Sequence, residues 1–337
     1  MDGVRITAIS LRRRPDRWAA CEKHMRSVLP ANLQSHFDVL EGTDAKELCG
    51  GLTGEERLPA LERGAGCTVW RDWPITEVED ARRAFPAAAE LPDAEAWLHY
   101  ERTVAKRWRP DRARNYVGFF FRFLTAGDVG ACMSHLRVAE RGHEDGVSIQ
   151  FVFEDDSRPT VEAVPTMLDE IATLQAKGVA WDMIYLFSAQ YDRLSEQPVY
   201  DGSRLHFAGH RKAHHAYVLS ARGMRKLATC GLRETLLPYD DFLPSLHSTH
   251  PRPDVMGLPC VAAGRRGGFV ALTFSDEEGR ALCGVAEAGS DSKAGPSGAA
   301  VLLGDAGVEM GGTEEGEELV AVGGVQVSAM PAGSATA

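Results

Sequence analysis

The sequence predicts an α/β fold built on a largely parallel sheet. Two observations lead there. Short apolar runs of strand length alternate with segments whose apolar residues recur at helical spacing. One such run, Phe151-Val152-Phe153, passes directly into Glu154-Asp155-Asp156. In sheets of this kind ligands bind beyond the carboxyl ends of the strands, so polar groups gathered there carry functional weight.

The elements follow in order. Val4 to Leu11 reads as a buried strand through Ile6, Ala8 and Ile9, and Arg12 to Arg17 as a basic turn containing Pro15. A helix is expected over 16–28, stopped by Pro30, and a second strand over 37–40. Residues 44–124 have patchy periodicity, with helical stretches at 76–89 and 93–107, and are read as an insertion serving as a lid or acceptor subdomain. In 128–142, Val129, Cys132, Leu136 and Ala139 form a helical stripe, and a strand follows over 149–153. Val161, Val164, Leu168, Ile171 and Leu174 form another stripe, stopped by Gly178. Strands at 182–187, 204–208 and 216–219 and a helix over 221–230 complete the series.

The 337 residues suffice for a large core and carry an ordinary soluble composition. The net charge of −11 is concentrated at the end, with 11 acidic and 2 basic residues from Asp276 onward. What remains is nearly neutral, which speaks against nucleic-acid binding. From about Gly279 the composition turns to Gly, Ala, Ser and Glu. The expected organisation is a 1–278 domain and an acidic 279–337 tail that is poorly ordered, with short pieces such as Val320 to Val327 able to pair as strands. No run is apolar enough to span a membrane. The first residues carry no secretory signal, so a complete chain is expected in the cytoplasm. The seven cysteines are odd in number and include no Cys-x-x-Cys pair, which favours reduced, buried thiols over disulfides or structural zinc.

Three successive carboxylates at a strand end repel one another unless cations or hydrogen-bond donors compensate. A hard divalent ion shared with a substrate diphosphate supplies that compensation and stabilises a leaving diphosphate. Strand alternation sends Glu154 and Asp156 one way and Asp155 the other. The plainer reading is an acidic loop whose Ser157 or Asp156 caps the next helix. Likewise the arginines of 12–17 and the helix start behind them suit a diphosphate or a uracil carbonyl, or else form a solvated turn with Asp16 as cap.

Together the motifs resemble glycosyltransferase family 25, which includes bacterial lipooligosaccharide and animal procollagen galactosyltransferases. Five stretches carry the likeness: Ile9-Ser10-Leu11 with Arg13 to Arg17, Gly127-Asp128-Val129-Gly130-Ala131-Cys132-Met133-Ser134-His135, Val152 to Asp156, Trp181 to Leu186, and Leu237 to Pro244 with His250-Pro251. The resemblance implies a GT-A-type nucleotide-sugar-binding fold with a mostly parallel central sheet flanked by helices. It also implies a UDP-sugar donor, Mn2+ or a similar divalent cation, and inversion at the anomeric carbon. By the same resemblance Glu154 and Asp156 are metal ligands. Ser10, Leu11, Arg13, Arg14, Arg17, Ser134, His135, Glu154 and Asp155 lie on the donor side.

An inverting transferase needs a base for the acceptor hydroxyl, and Asp240 or Asp241 is expected to serve. The structural alternative places Asp240 as helix N-cap and Asp241 in the first turn. His206, His210, His214 and His215 match no zinc signature, and a strand–turn context scatters them across faces, although one of them can approach the diphosphate. The expected reaction moves a sugar, galactose by resemblance, from the UDP-sugar to a hydroxyl on a glycan or hydroxylysine-containing protein. A non-catalytic binding or adhesion module on the same fold is the second reading, and a nucleotidyltransferase the third.

Overall fold

The computed structural model describes residues 3–52, 56–70, 124–190, 197–250 and 253–286. All lie within one compact unit, Met1–Ala299. The predicted helices at 76–89 and 93–107, the strand-like piece at Val320 to Val327 and nearly all of the tail fall outside the described residues.

The strands are β1 (Val4–Ser10), β2 (Phe37–Glu41), β3 (Ile149–Glu154), β4 (Ser157–Pro159), β5 (Met183–Gln190), β6 (His206–Phe207), β7 (Arg211–Ser220), β8 (Ala271–Thr273) and β9 (Cys283–Val285). The α-helices are α1 (Pro15–Val28), α2 (Ala45–Cys49), α3 (Arg57–Ala65), α4 (Ala126–Glu144), α5 (Ala163–Ala176), α6 (Ala221–Thr229), α7 (Tyr239–His247), α8 (Pro253–Met256), α9 (Pro259–Arg265) and α10 (Asp276–Leu282).

Seven strands form one sheet in the order β2-β1-β3-β7-β5-β8-β6. β1 lies parallel to both β2 and β3, and β5 parallel to β8, whereas β7 runs against both its neighbours and β6 against β8. Five strands thus share one direction, and a mostly parallel sheet flanked by helices is what the sequence predicted. The reversed β7 at the centre was not anticipated, because periodicity reports a strand but not its direction.

Alternating side chains give the sheet two apolar faces. Val152, Met183, Tyr185, Tyr217 and Leu219 pack beneath α4, α6, α7 and α9. Phe151, Phe153, Ile184, Leu186 and Val218 pack against α1, α5 and α10. Each fully buried Phe, Leu or Ile contributes roughly 1.5–3 kcal/mol of transfer free energy, so both faces are held firmly.

Several boundaries differ from the sequence reading. α5 begins at Ala163, and Val161, counted into its stripe, is 56% exposed ahead of the helix. The first part of the 44–124 stretch packs into the core: α2 and α3 bury Cys49 and Leu61, and Val69 bridges to Leu236. The compositional change near Gly279 falls inside α10, and the chain continues into β9, which pairs with β4. All seven cysteines are buried free thiols. Burial pushes the Cys21 thiol up to about 12 and the Cys67 thiol up to about 11.

Asp182 is the polar anchor of this frame. Fully buried just ahead of β5, it accepts from Arg222 Nε at 2.7 Å, Arg222 Nη2 at 3.0 Å, Lys226 Nζ at 3.0 Å and the Val270 amide at 2.8 Å. One carboxylate therefore ties α6 and the approach to β8 onto the sheet. Asp182→Ala is expected to lower stability by about 3 kcal/mol in chemical denaturation, since it strips a buried network of its only anion.

Candidate metal and active site

The site forms where β1, β3 and β7 meet. The parallel register pairs Ile9 with Glu154, which sets Ser10 beside Asp155. The antiparallel ladder ends at Phe153 and Ala216, so Glu154 and His215 face each other one step beyond it. Glu154 shares a face with Val152 and points toward α4, while Asp155 points toward α1.

These directions decide the partners. Glu154 Oε1 lies 3.2 Å from His135 Nε2, and Glu154 Oε2 lies 2.9 Å from His215 Nδ1. Asp155 accepts from Ser10 Oγ at 2.8 Å and pairs with Arg17 at 2.5 Å. Asp156 pairs through Oδ2 with Arg17 at 3.2 Å, and its Oδ1 lies 3.4 Å from His215 Nδ1. Burial pushes the Glu154 carboxyl up, but His215 and His135 outweigh it and hold the group far below the usual carboxylate range. Burial alone would push His215 down; Glu154 and Asp156 reverse that and raise it to about 11. Asp155 is raised by burial, opposed by Arg17 and Ser10.

Glu154, Asp156 and His215 offer ligand atoms that all lie within 4.8 Å of one another, the one such group among the described residues. Asp156 Oδ1 is buried and accepts no hydrogen bond. A buried carboxylate oxygen left without a donor, facing a second carboxylate and an imidazole, fits a divalent cation. Two carboxylate oxygens, joined by the His215 nitrogen once it gives up its proton to the incoming ion, suit Mn2+ or a similar cation.

The Gly127–His135 motif proves mainly architectural. Thr125 and Asp128 form a reciprocal capping box at the start of α4. A Cβ on Gly130 would lie 2.4 Å from the Thr43 carbonyl, so only glycine permits this approach. Ser134 Oγ accepts from the Thr43 amide at 2.8 Å and donates to the Gly130 carbonyl at 2.6 Å, latching the loop after β2. His135 alone of these residues reaches the acidic centre.

Of the basic turn, only Arg17 reaches the acids. Arg12 pairs with Glu41 at 3.0 Å, Arg13 with Asp44, and Arg14 with Asp16 at 3.4 Å. Asp16 is not the cap of α1, whose N-cap is Arg14 without a side-chain bond. Leu11 is half-buried against the loop at Gly42.

α7 opens after Pro238, so neither aspartate is its N-cap; both sit in the first turn. Asp241 is fully buried, ion-paired with Lys212 Nζ at 2.7 Å and hydrogen-bonded to His250 Nε2 at 3.2 Å. Asp240 keeps 26% of its side chain exposed, with Oδ1 2.9 Å from His214 Nδ1 but out of line for a hydrogen bond. His214 Nε2 donates to the Arg211 carbonyl at 3.0 Å.

The histidines of 206–215 separate as expected, except for one adjacent pair. His206 lies on β6 and His210 contacts Ser248 Oγ at 3.2 Å. His214 and His215 both attend the site because β7 bulges there. Between Ala189↔Lys212 and Phe187↔Ala216 it has two more residues than β5, which breaks strict alternation. His215, Lys212, His214 and Tyr217 were not identified as site residues from the sequence. A bulge leaves no periodic trace, and only the run of histidines hinted at it.

The mostly parallel sheet flanked by helices, with its acidic centre at the strand ends, has the architecture of a GT-A-like fold. No family model matches the chain. The probable inactive glycosyltransferase 25 family member 3 of Bos taurus is 35% identical over 130 residues, 39% of this chain and 22% of that protein. Procollagen galactosyltransferase 1-A of Xenopus laevis is 31% identical over 147 residues, 43% of this chain and 23% of that protein. Procollagen galactosyltransferase 1-B of Xenopus laevis is 30% identical over 278 residues, 75% of this chain and 45% of that protein. The chain belongs to glycosyltransferase family 25. The matches span less than half the length of these relatives. Among the described residues no helix is long and apolar enough to cross a membrane.

Two histidines behind the site make stability sensitive to acid. Burial pushes His210 down to about 3, aided by Lys212, and burial pushes His247 down to about 3, aided by His210 and His214. Both folded values lie below the unfolded one, so stability is complete above about pH 6.5 and drains as pH falls toward 3. His247 retains some solvent contact, so its share is the smaller. His215, raised instead, gains slightly over the same descent. The net expectation is a loss of roughly 2 kcal/mol between pH 7 and pH 5 in urea denaturation, reduced in His210→Asn.

Proposed function

We propose that the chain is a metal-dependent, inverting glycosyltransferase that moves galactose from UDP-galactose to a hydroxyl on a glycan or hydroxylysine-containing protein. The observation that carries this reading is the convergence of Glu154, Asp156 and His215, with Asp156 Oδ1 lacking a hydrogen-bond donor, at the carboxyl end of β3. Membership of a family with galactosyltransferases supports it.

Glu154, Asp156 and His215 would hold the cation. A bound divalent ion supplies charge neutralisation for the departing nucleoside diphosphate. Arg17 steadies Asp155 and Asp156 from the α1 side and holds these two carboxylates together. Asp240, partly exposed beside His214, takes the acceptor's hydroxyl proton as that oxygen attacks the anomeric carbon and the carbon–diphosphate bond breaks. Asp241, sealed against Lys212 and His250, fixes the start of α7 so that Asp240 is presented.

A second reading, a non-catalytic module that binds the nucleotide sugar without turnover, is favoured by the relatives named inactive. UDP release from UDP-galactose and other UDP-sugars with Mn2+ separates the two. Wild type is expected to release UDP, with Asp156→Ala at background. Asp240→Asn should lose about 100-fold or more in kcat while keeping its Mn2+ affinity. Equal release from wild type and Asp156→Ala contradicts the proposal. A thermal shift with UDP and Mn2+ but no turnover establishes the binding module.

A further inference from the structure

His135 belongs to a chain of polar contacts that runs from the candidate metal centre into the core. It is buried, with Nε2 3.2 Å from Glu154 Oε1 and Nδ1 2.9 Å from the Tyr217 hydroxyl. The Tyr217 hydroxyl lies 3.3 Å from that of Tyr239, and the Tyr239 ring stacks on His135 at 4.7 Å and 12°. The four residues come from α4, β3, β7 and α7.

The chemistry fixes the direction of the contact with Glu154. An ionised carboxylate only accepts, so His135 Nε2 carries the hydrogen and donates to Glu154. When the ring is neutral, Nδ1 accepts from the Tyr217 hydroxyl, which accepts in turn from Tyr239. Both phenols are buried, and burial raises them far out of the range in which they ionise. Stacking on Tyr239 holds the plane of the imidazole, and the Tyr217 bond holds its rotation.

We propose that His135 is a positioning residue: it orients the Glu154 carboxylate for cation binding, with Tyr217 and Tyr239 fixing the ring, and does not itself contact the donor. The proposal rests on the metal-dependent reading above. It replaces the donor-side role expected of His135 from the sequence, because both ring nitrogens are occupied by protein groups. Outer-shell partners of this kind usually change metal affinity about 10–100-fold when removed.

The test is Mn2+ titration of the full chain, with free Mn2+ followed by electron paramagnetic resonance, and thermal unfolding of the same proteins without metal. His135→Ala is expected to weaken Mn2+ binding by about 10–100-fold. His135→Gln, whose amide nitrogen reaches the position of Nε2, should recover most of that loss. Tyr217→Phe, which keeps the ring and removes the hydroxyl, should fall between. The metal-free melting temperatures of His135→Gln and Tyr217→Phe should stay within a few degrees of wild type. Wild-type Mn2+ affinity in a folded His135→Ala or Tyr217→Phe overturns the proposal while leaving the metal reading intact. The same holds if His135→Gln binds as poorly as His135→Ala. Absence of Mn2+ binding by the wild type removes the metal reading and this inference with it.

Discussion

Three carboxylates in succession at the end of β3 repel one another, and the surrounding structure is arranged around their compensation. Each acid has its own counterpart: His135 and His215 for Glu154, Ser10 and Arg17 for Asp155, Arg17 and His215 for Asp156. These counterparts come from four separate elements. The strands β1 and β7 must flank β3, and helices α1 and α4 must cover opposite faces, before the triplet is tolerable. The electrostatic demand of the site and the topology of the sheet are one constraint.

Compensation stops short of completeness, and that is informative. Asp156 Oδ1 remains without a donor although an imidazole nitrogen lies 3.4 Å away. A centre evolved only to neutralise its acids would close that gap. The cation proposed above would fill it.

Much of this was legible in the sequence, for identifiable reasons. The apolar run of β3 and the stripes of α4 and α5 announce themselves by period, and the acidic triplet is placed by its position after a buried strand. Alternation correctly separates Glu154 from Asp155. What periodicity cannot convey is partnership across the chain. It could not show that Arg13 and Arg14 are taken up by Asp44 and Asp16 while Arg17 turns inward. Nor could it show that Asp241 is sealed by Lys212 while its neighbour Asp240 stays partly exposed. The motif from Gly127 to His135 reads as a site signature, yet most of its residues build a cap, a close backbone approach and a loop latch.

The irregular stretch of β7 between Lys212 and Ala216 carries a wider implication. A straight strand would offer one of two neighbouring imidazoles to any given side of the sheet; the extra length offers both, one to the acids and one to the helix bearing Asp240. Transplanting the acidic signature alone onto another scaffold would therefore carry over half of the chemistry. The portable unit is the kinked segment together with the strand it lies against.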